Sequence, residues 1–171
     1  MLDPSGAVIR FEEADDKPSI RWVNESAFAH PDEAGLIERL RQEGAVLLSL
    51  VAQVEEQIVA HILFSRMWID SAGGSIAAVA LAPLAVLPTH QRKGIGGRLI
   101  RGGLDCLRDH DEEIVIVLGH PDYYSRFGFS AEKTRGLESP FPPHAFMATE
   151  LRAGALTGIR GKVRYPVAFG L

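Results

Sequence analysis

The hydrophobic and polar positions of this chain change period several times, and each change predicts a different element. Apolar runs rich in β-branched residues predict strands, whereas apolar residues spaced three and four apart predict helices. Strands are predicted at Ala7–Phe11, Val46–Val54, Ile58–Ile69, Ile76–Leu87, Ile114–Leu118, Ala145–Leu151 and Gly161–Tyr165. Helices are predicted at Ile20–Phe28, Glu33–Arg41 and Ile95–Arg108, with Asp32 as the N-cap of the second. The chain therefore combines predicted strands with predicted helices, as α/β (α+β) domains do.

A glycine-rich turn follows the strand Ile76–Leu87 and leads into the third predicted helix. We call residues 91–98 the cradle; they are Gln91, Arg92, Lys93, Gly94, Ile95, Gly96, Gly97 and Arg98. Backbone N–H groups at a helix N-terminus attract anions, and glycines without a Cβ let the anion approach closely. The polar and basic side chains add donors and positive charge. The cradle therefore predicts a pyrophosphate-binding site.

Two well-known glycine-rich motifs do not match the cradle. A Walker loop requires a Lys followed by Ser or Thr directly after its glycines, and neither pair is present here. A Rossmann fingerprint requires a third glycine where this chain has Leu99, and an acidic residue after the next strand. The residues from Gln91 to Gly96 do match Q-x-x-G-x-G. This motif resembles the acetyl-CoA-binding motif of the GNAT superfamily of N-acetyltransferases.

Flanking segments extend the resemblance over most of residues 7–151, and most strongly over 81–129. Leu84, Ala85 and Val86 resemble the splayed central strand of the family, whose backbone pairs with the pantetheine arm. Residues 123–129 resemble the family's F-Y-x-x-x-G-F signature, in which Tyr124 takes the position of the general acid. The segments HILFS at 61–65 and GHPDYYSRFGF at 119–129 look like predicted bacterial N-acetyltransferases of the YhbS-like subgroup.

This resemblance implies a fold, a reaction and an organisation. The fold is a mixed, mostly antiparallel central sheet with helices on both faces and a splayed pair of strands at 76–87 and 113–118. The reaction is transfer of the acetyl group of acetyl-CoA to a primary amine of a small molecule or protein, by direct attack in a ternary complex. In it the Val86 N–H polarises the thioester oxygen. We expect one domain over residues 1–171, with 152–171 as a C-terminal extension.

Composition agrees with a compact cytoplasmic enzyme. The 171 residues carry a net charge of −4 and are 46% hydrophobic, which suits one cored domain and argues against nonspecific nucleic-acid binding. Cys106 is the single cysteine, and the six histidines show no metal-binding spacing, so no metal is expected. No signal peptide or membrane span is predicted. The expected partners are acetyl-CoA and an amine, and the expected state is a monomer or homodimer.

Several alternatives remain open at this point. The chain could be a non-catalytic acyl-CoA-binding sensor or a nucleotide-binding protein with a similar turn. Tyr124 could be a buried aromatic residue whose hydroxyl only bonds the cofactor sulfur or a backbone group, and Tyr123 is expected to pack in the core. The predicted strand 76–87 has no ionisable residue to act as a general base. The remaining candidates for the base are His61, His120 and Asp122.

Overall fold

The computed structural model describes residues 3–171, which form two compact units. The first unit comprises residues 3–64 and 82–103, and the second comprises residues 65–81 and 104–171. The helices are α1 (Lys17–Phe28), α2 (Asp32–Glu43), α3 (Ile95–Asp109) and α4 (Pro121–Tyr124). The strands are β1 (Ala7–Phe11), β2 (Val46–Val54), β3 (Gln57–Ser71), β4 (Gly74–Val86), β5 (Ile114–Leu118), β6 (Leu137–Glu138), β7 (Phe146–Glu150) and β8 (Gly161–Arg164). Strands β3 and β4 and helix α3 contribute residues to both units.

The strands form a mixed sheet in the order β1-β2-β3-β4-β5-β7, with β8 beside β3 and β6 beside β8. Pairing is antiparallel between β1 and β2, between β5 and β7 and between β3 and β8. It is parallel between β4 and β5 and between β6 and β8. The predicted mixed, mostly antiparallel sheet is confirmed.

Strands β3, β4, β7 and β8 differ from their predicted bounds by one or two residues, and the more informative differences lie at helix ends. Helix α1 begins at Lys17, three residues before the predicted Ile20, because Pro18 occupies its first turn, where a missing N–H costs nothing. The prediction that Asp32 caps α2 is wrong. The N-cap is Pro31, whose carbonyl accepts the first helical hydrogen bond from the Gly35 N–H at 2.9 Å. Asp32 therefore lies in the first turn, where its charge still suits the helix dipole.

Two adjacent glycines of α3 face different neighbours in the first unit. A Cβ built on Gly103 would stand 2.3 Å from Cε2 of Phe64, so the helix backbone lies directly on this ring of β3. A Cβ on Gly102 would meet only Cγ2 of Ile9 at 3.9 Å and Cδ1 of Leu50 at 4.0 Å, which are ordinary contacts. Close packing thus accounts for the helix-weakening glycine at 103 but not for its neighbour.

The second unit has its own hydrophobic core. It is built from Met67, Ile69, Ala78, Ala80, Ile114, Ile116, Phe146, Ala148, Ala155, Leu156 and Val163. Strand β5 pairs along its whole length with β7, from Ile114–Glu150 to Leu118–Phe146. Among the described residues its parallel pairing with β4 covers only Val79–Val115 and Ala80–Ile116. Such short pairing is what the predicted splay requires, although the splay itself stays a prediction.

The segment after residue 151, predicted as a C-terminal extension, contributes β8. Residues 161–164 pair with β3 from Gly161–Ser71 to Arg164–Trp68, and Arg164 forms an ion pair with Asp70. The two-residue strand β6 lies on the other side of β8 and was not predicted, because two residues are too few to show a period.

Candidate functional site

The cradle follows β4 through a 3-10 turn at Pro88–His90 and enters α3. Arg92 and Gly94 both have a left-handed backbone, with φ of 63° and 81°. Only glycine adopts this region without steric cost, so Gly94 lets the chain turn into the helix. The Gly94 carbonyl accepts the first helical hydrogen bond from the Arg98 N–H at 3.1 Å. The N–H groups of residues 95–97 therefore have no acceptor within the helix.

The three basic side chains of the cradle have different environments. Arg92 and Lys93 are exposed, and neither forms an ion pair within residues 3–171. The guanidinium of Arg98 forms an ion pair with Asp3 and donates to the Ala7 carbonyl at 2.7 Å. These contacts hold Arg98 at the start of β1 and favour a bracing role for it. The free positive charge at the start of α3 comes from Arg92 and Lys93.

Gln91 connects the cradle to the end of β4. Its side-chain Nε2–H donates to the Val86 carbonyl at 3.0 Å, so the donor predicted to face a phosphate braces the turn in this structure. The Leu87 N–H donates to the Val59 carbonyl of β3 at 2.9 Å. Successive N–H groups of a strand point to opposite edges, and the Val86 N–H therefore faces away from β3.

The side chains of the predicted pantetheine-binding strand alternate in burial. Ala85 is buried, whereas Leu84 and Val86 are half-buried. The same strand contains a cis peptide bond between Ala82 and Pro83. The end of β4 therefore offers backbone groups and small apolar side chains, and it carries no charge.

Tyr124 lies at the end of α4 among aromatic rings of the second unit. Its ring makes edge-to-face contacts with Tyr123 and Phe129, with centroids 5.0 and 5.8 Å apart. Phe129 is fully buried and fixes this cluster to the core. Burial, with a smaller effect of Tyr123, raises the pKa of the Tyr124 phenol to about 12. The phenol is therefore protonated at neutral pH and can donate a hydrogen bond.

His61, a candidate general base, is fully buried in the first unit. Its Nδ1 lies 3.2 Å from Nδ2 of Asn24, and its Nε2 lies 2.9 Å from Oγ of Ser49. The Asn24 Nδ2 group is a donor that also bonds the Ile20 carbonyl at 2.9 Å, so His61 accepts at Nδ1 and donates from Nε2. Burial, with the nearby charge of Arg41, lowers its pKa to about 3. These contacts favour a structural role for His61.

The other candidate side chains lie near the surface. His120 and Asp122 are exposed, and the His120 carbonyl accepts the N–H groups of Tyr123 and Tyr124 at 3.1 Å. Cys106 is half-buried in α3. A role for His120 or Asp122 as the base stays a prediction.

Most of the partners that hold these side chains could not be predicted from the sequence. Asp3 is 95 positions from Arg98, and Asn24 and Ser49 are 37 and 12 positions from His61. Such contacts depend on the fold and have no local period or spacing. Only the hydrogen bond between Gln91 and Val86, five positions apart, is local enough to be sought in a sequence.

Two further searches covered residues 3–171. No cluster of three or more His, Cys, Asp or Glu side chains there has a geometry that could hold a metal ion. None of the helices in this part of the chain combines the length and the apolar character needed to cross a membrane.

Comparison with known sequences gives a family and several relatives. The family model described as an acetyltransferase (GNAT) domain matches residues 8–131. The uncharacterized N-acetyltransferase YjhQ of Escherichia coli K12 is 41% identical over 130 residues, covering 74% of this chain and 72% of the relative. The uncharacterized N-acetyltransferase YhbS of the same strain is 35% identical over 161 residues, covering 92% and 95%.

Two solved structures are similar over nearly the full chain. The complex of Escherichia coli YhbS, a GNAT family N-acetyltransferase, with CoA has a TM-score of 0.89 and 34% identity, covering 100% of this chain and 96% of that one. A GNAT family acetyltransferase from Brucella melitensis in complex with acetyl-CoA has a TM-score of 0.80 and 34% identity, covering 95% and 97%.

Proposed function

The chain belongs to the GNAT family of acetyltransferases, and from this premise we propose that it transfers the acetyl group of acetyl-CoA to a primary amine. The acceptor is a small molecule or a protein, and its amine attacks directly in a ternary complex. The observation that carries the proposal is the cradle, which combines a glycine turn, N–H groups without an acceptor in the helix, and two exposed cations that form no ion pair within residues 3–171. The bound CoA and acetyl-CoA of the two similar structures support the same ligand here.

The cradle binds the pyrophosphate in this proposal. The N–H groups of Ile95, Gly96 and Gly97 donate to its oxygens, and the positive end of the α3 dipole favours its charge. Arg92 and Lys93 add attraction from the solvent side. Gln91 contributes by fixing the turn through the Val86 carbonyl. Holding the pyrophosphate places the thioester at a defined distance, which lowers the entropy lost in the reaction.

The end of β4 binds the rest of the cofactor. The backbone of Leu84, Ala85 and Val86 pairs with the pantetheine arm, and the Val86 N–H donates to the thioester oxygen. Support comes from the direction of this N–H, which faces the edge of β4 that is not paired with β3. A donor aimed at the oxygen becomes more effective as the carbonyl gains negative charge in the transition state.

Tyr124 stabilises the leaving group in this proposal. The amine nitrogen attacks the carbonyl carbon, the C–S bond breaks, and the sulfur leaves with the electron pair. The phenol donates a hydrogen bond to that sulfur, and the proton lost by the amine replaces any proton that the phenol gives up, so that the products are an amide and free CoA. Because the phenol has a pKa of about 12 and a thiol one of about 8.5, proton transfer from the phenol is uphill even to a fully formed thiolate. The phenol therefore stabilises the forming thiolate through this hydrogen bond, and its own proton crosses to the sulfur only as the amine proton replaces it.

Ligand choice is tested by calorimetry. We expect the chain to bind acetyl-CoA in preference to ATP and NAD, since the cradle lacks the residues that Walker and Rossmann sites use. A Gly96→Asp variant should lose acetyl-CoA binding, because a carboxylate would occupy the anion position. Tighter binding of ATP or NAD than of acetyl-CoA would contradict the proposal.

Catalysis is tested by CoA release from acetyl-CoA in the presence of a panel of small amines and peptides. The proposal expects release that depends on one class of amine and an acetylated product of matching mass. Tight binding of acetyl-CoA without amine-dependent release would instead indicate the non-catalytic sensor.

The family model draws on residues of both units, which supports our proposal that 1–171 is a single acetyltransferase domain with 152–171 as its extension.

A further inference from the structure

We propose that Gly119 is a positioning residue, which sets the place of the Tyr124 phenol because it has no side chain. This inference rests on the proposed role of Tyr124 as the general acid. Gly119 directly follows β5, and Tyr124 ends the helix that comes next in the chain. Gly119 begins the segment 119–129 that resembles the YhbS-like subgroup, but it lies outside the signature at 123–129 and is not among the candidate site residues.

The contact between the two residues is very close. A Cβ built on Gly119 would stand 2.4 Å from Cε2, 2.9 Å from Cδ2 and 3.5 Å from Cζ of the Tyr124 ring. Carbon atoms in contact normally lie about 3.5–4.0 Å apart. The edge of the ring thus occupies the space that any side chain at position 119 would need.

Neither partner can easily move away. The Gly119 N–H donates to the Ala145 carbonyl at 3.0 Å, which ties this backbone to the residue before β7. The Tyr124 ring packs edge-to-face against Tyr123 and against the fully buried Phe129. Because the backbone is tied to Ala145, an alanine at 119 can be accommodated only if the phenol is forced out of its packed position, by about 1 Å on the contact distances above.

The requirement for glycine here comes from the contact and not from the backbone. The φ of Gly119 lies outside the left-handed region, where an alanine would be strained, whereas the φ of Gly128 is 90°. Gly119→Ala is therefore a specific way to displace the phenol while every atom of Tyr124 is kept. Displacing a reacting group by about 1 Å can reduce catalysis by about 100-fold.

The experiment compares wild type, Gly119→Ala, Tyr124→Phe and the double variant Gly119→Ala/Tyr124→Phe. Its readout is CoA release with the best amine of the panel, or release to water if no amine exceeds it. We expect Gly119→Ala to lower kcat by about 10- to 100-fold with little change in the KM for acetyl-CoA. In the Tyr124→Phe background the same change should cost little more, because no hydroxyl remains to be displaced. Gly102→Ala, whose Cβ fits without a clash, is the matched control.

A stability measurement keeps the proposal testable if Gly119→Ala folds poorly. Alanine at 119 should lower the thermal midpoint when the ring is present and should be harmless in a Tyr124→Ala background, where the space is free. Wild-type kcat in Gly119→Ala beside a defective Tyr124→Phe would overturn the positioning role alone. Wild-type turnover in Tyr124→Phe would overturn both this inference and the proposed acid. Equal destabilisation by alanine at 119 with and without the ring would also reject the contact.

Discussion

Tyr124 is the residue on which the proposed chemistry depends, and its environment makes it a weak acid. Burial favours the neutral phenol, which can stabilise a forming thiolate only as the C–S bond breaks. General acids typically contribute about 10²–10⁴-fold to the rate. Tyr124→Phe should therefore lower kcat by no more than this, since CoA thiolate is a tolerable leaving group, and should barely change KM. Steady-state kinetics with the acceptor found in the amine panel measures this.

The matched control is Tyr123→Phe. The Tyr123 ring packs against Tyr124, and the Arg126 guanidinium stacks on it with Cζ 4.8 Å from the ring centroid. Removing only its hydroxyl keeps these ring contacts and should leave turnover close to wild type. A defect of Tyr124→Phe confined to acetyl-CoA affinity would assign that residue to binding and not to proton transfer.

The paired glycines of α3 give opposite predictions for stability. Gly102→Ala should stabilise the protein by about 0.5–1 kcal/mol, because alanine favours the helix and its Cβ meets only ordinary contacts. Gly103→Ala should destabilise it by about 1–3 kcal/mol, because the new Cβ overlaps the Phe64 ring. Urea unfolding of both variants measures the difference. Two changes of the same sign would contradict the close packing of Gly103 on β3.

At the scale of elements, the basic side chains of the cradle have two different roles. We expect the exposed Lys93 to attract acetyl-CoA, whereas Arg98 stabilises the fold. Lys93→Gln should weaken acetyl-CoA binding by about threefold to tenfold, and less so at high salt, because an exposed cation beside the α3 N-terminus is lost. Arg98→Gln should leave affinity nearly unchanged but lower stability, since it breaks the contacts with Asp3 and the Ala7 carbonyl. Calorimetry at two salt concentrations, with thermal unfolding, checks both. A larger affinity loss for Arg98→Gln would reverse the assignment.

The elements that the sequence predicted well are those with a clear local period. Strand β1 and strand β5 have their predicted bounds, and α3 extends only one residue further. The cap of α2 was missed because the choice between Pro31 and Asp32 depends on backbone geometry and not on residue preference. At the candidate site too, local motifs could be predicted and long-range contacts could not. The motif located the cradle, but only the fold brings Asp3 to Arg98 and shows that His61 is buried.

At the scale of the whole molecule, the buried His61 couples stability to pH. Its folded pKa of about 3 is far below the value near 6.5 expected when unfolded, so between these values the unfolded chain binds a proton that the folded one does not. Stability should therefore fall as pH drops from about 6.5 toward 3, by up to about 1.4 kcal/mol per pH unit. His61→Gln retains an acceptor for Asn24 and a donor for Ser49, but its side chain does not titrate. In this variant the dependence of stability on pH should therefore largely disappear. Urea unfolding between pH 4.5 and 6.5 measures it, with the exposed His144→Gln as control, and equal slopes in wild type and His61→Gln would refute the coupling.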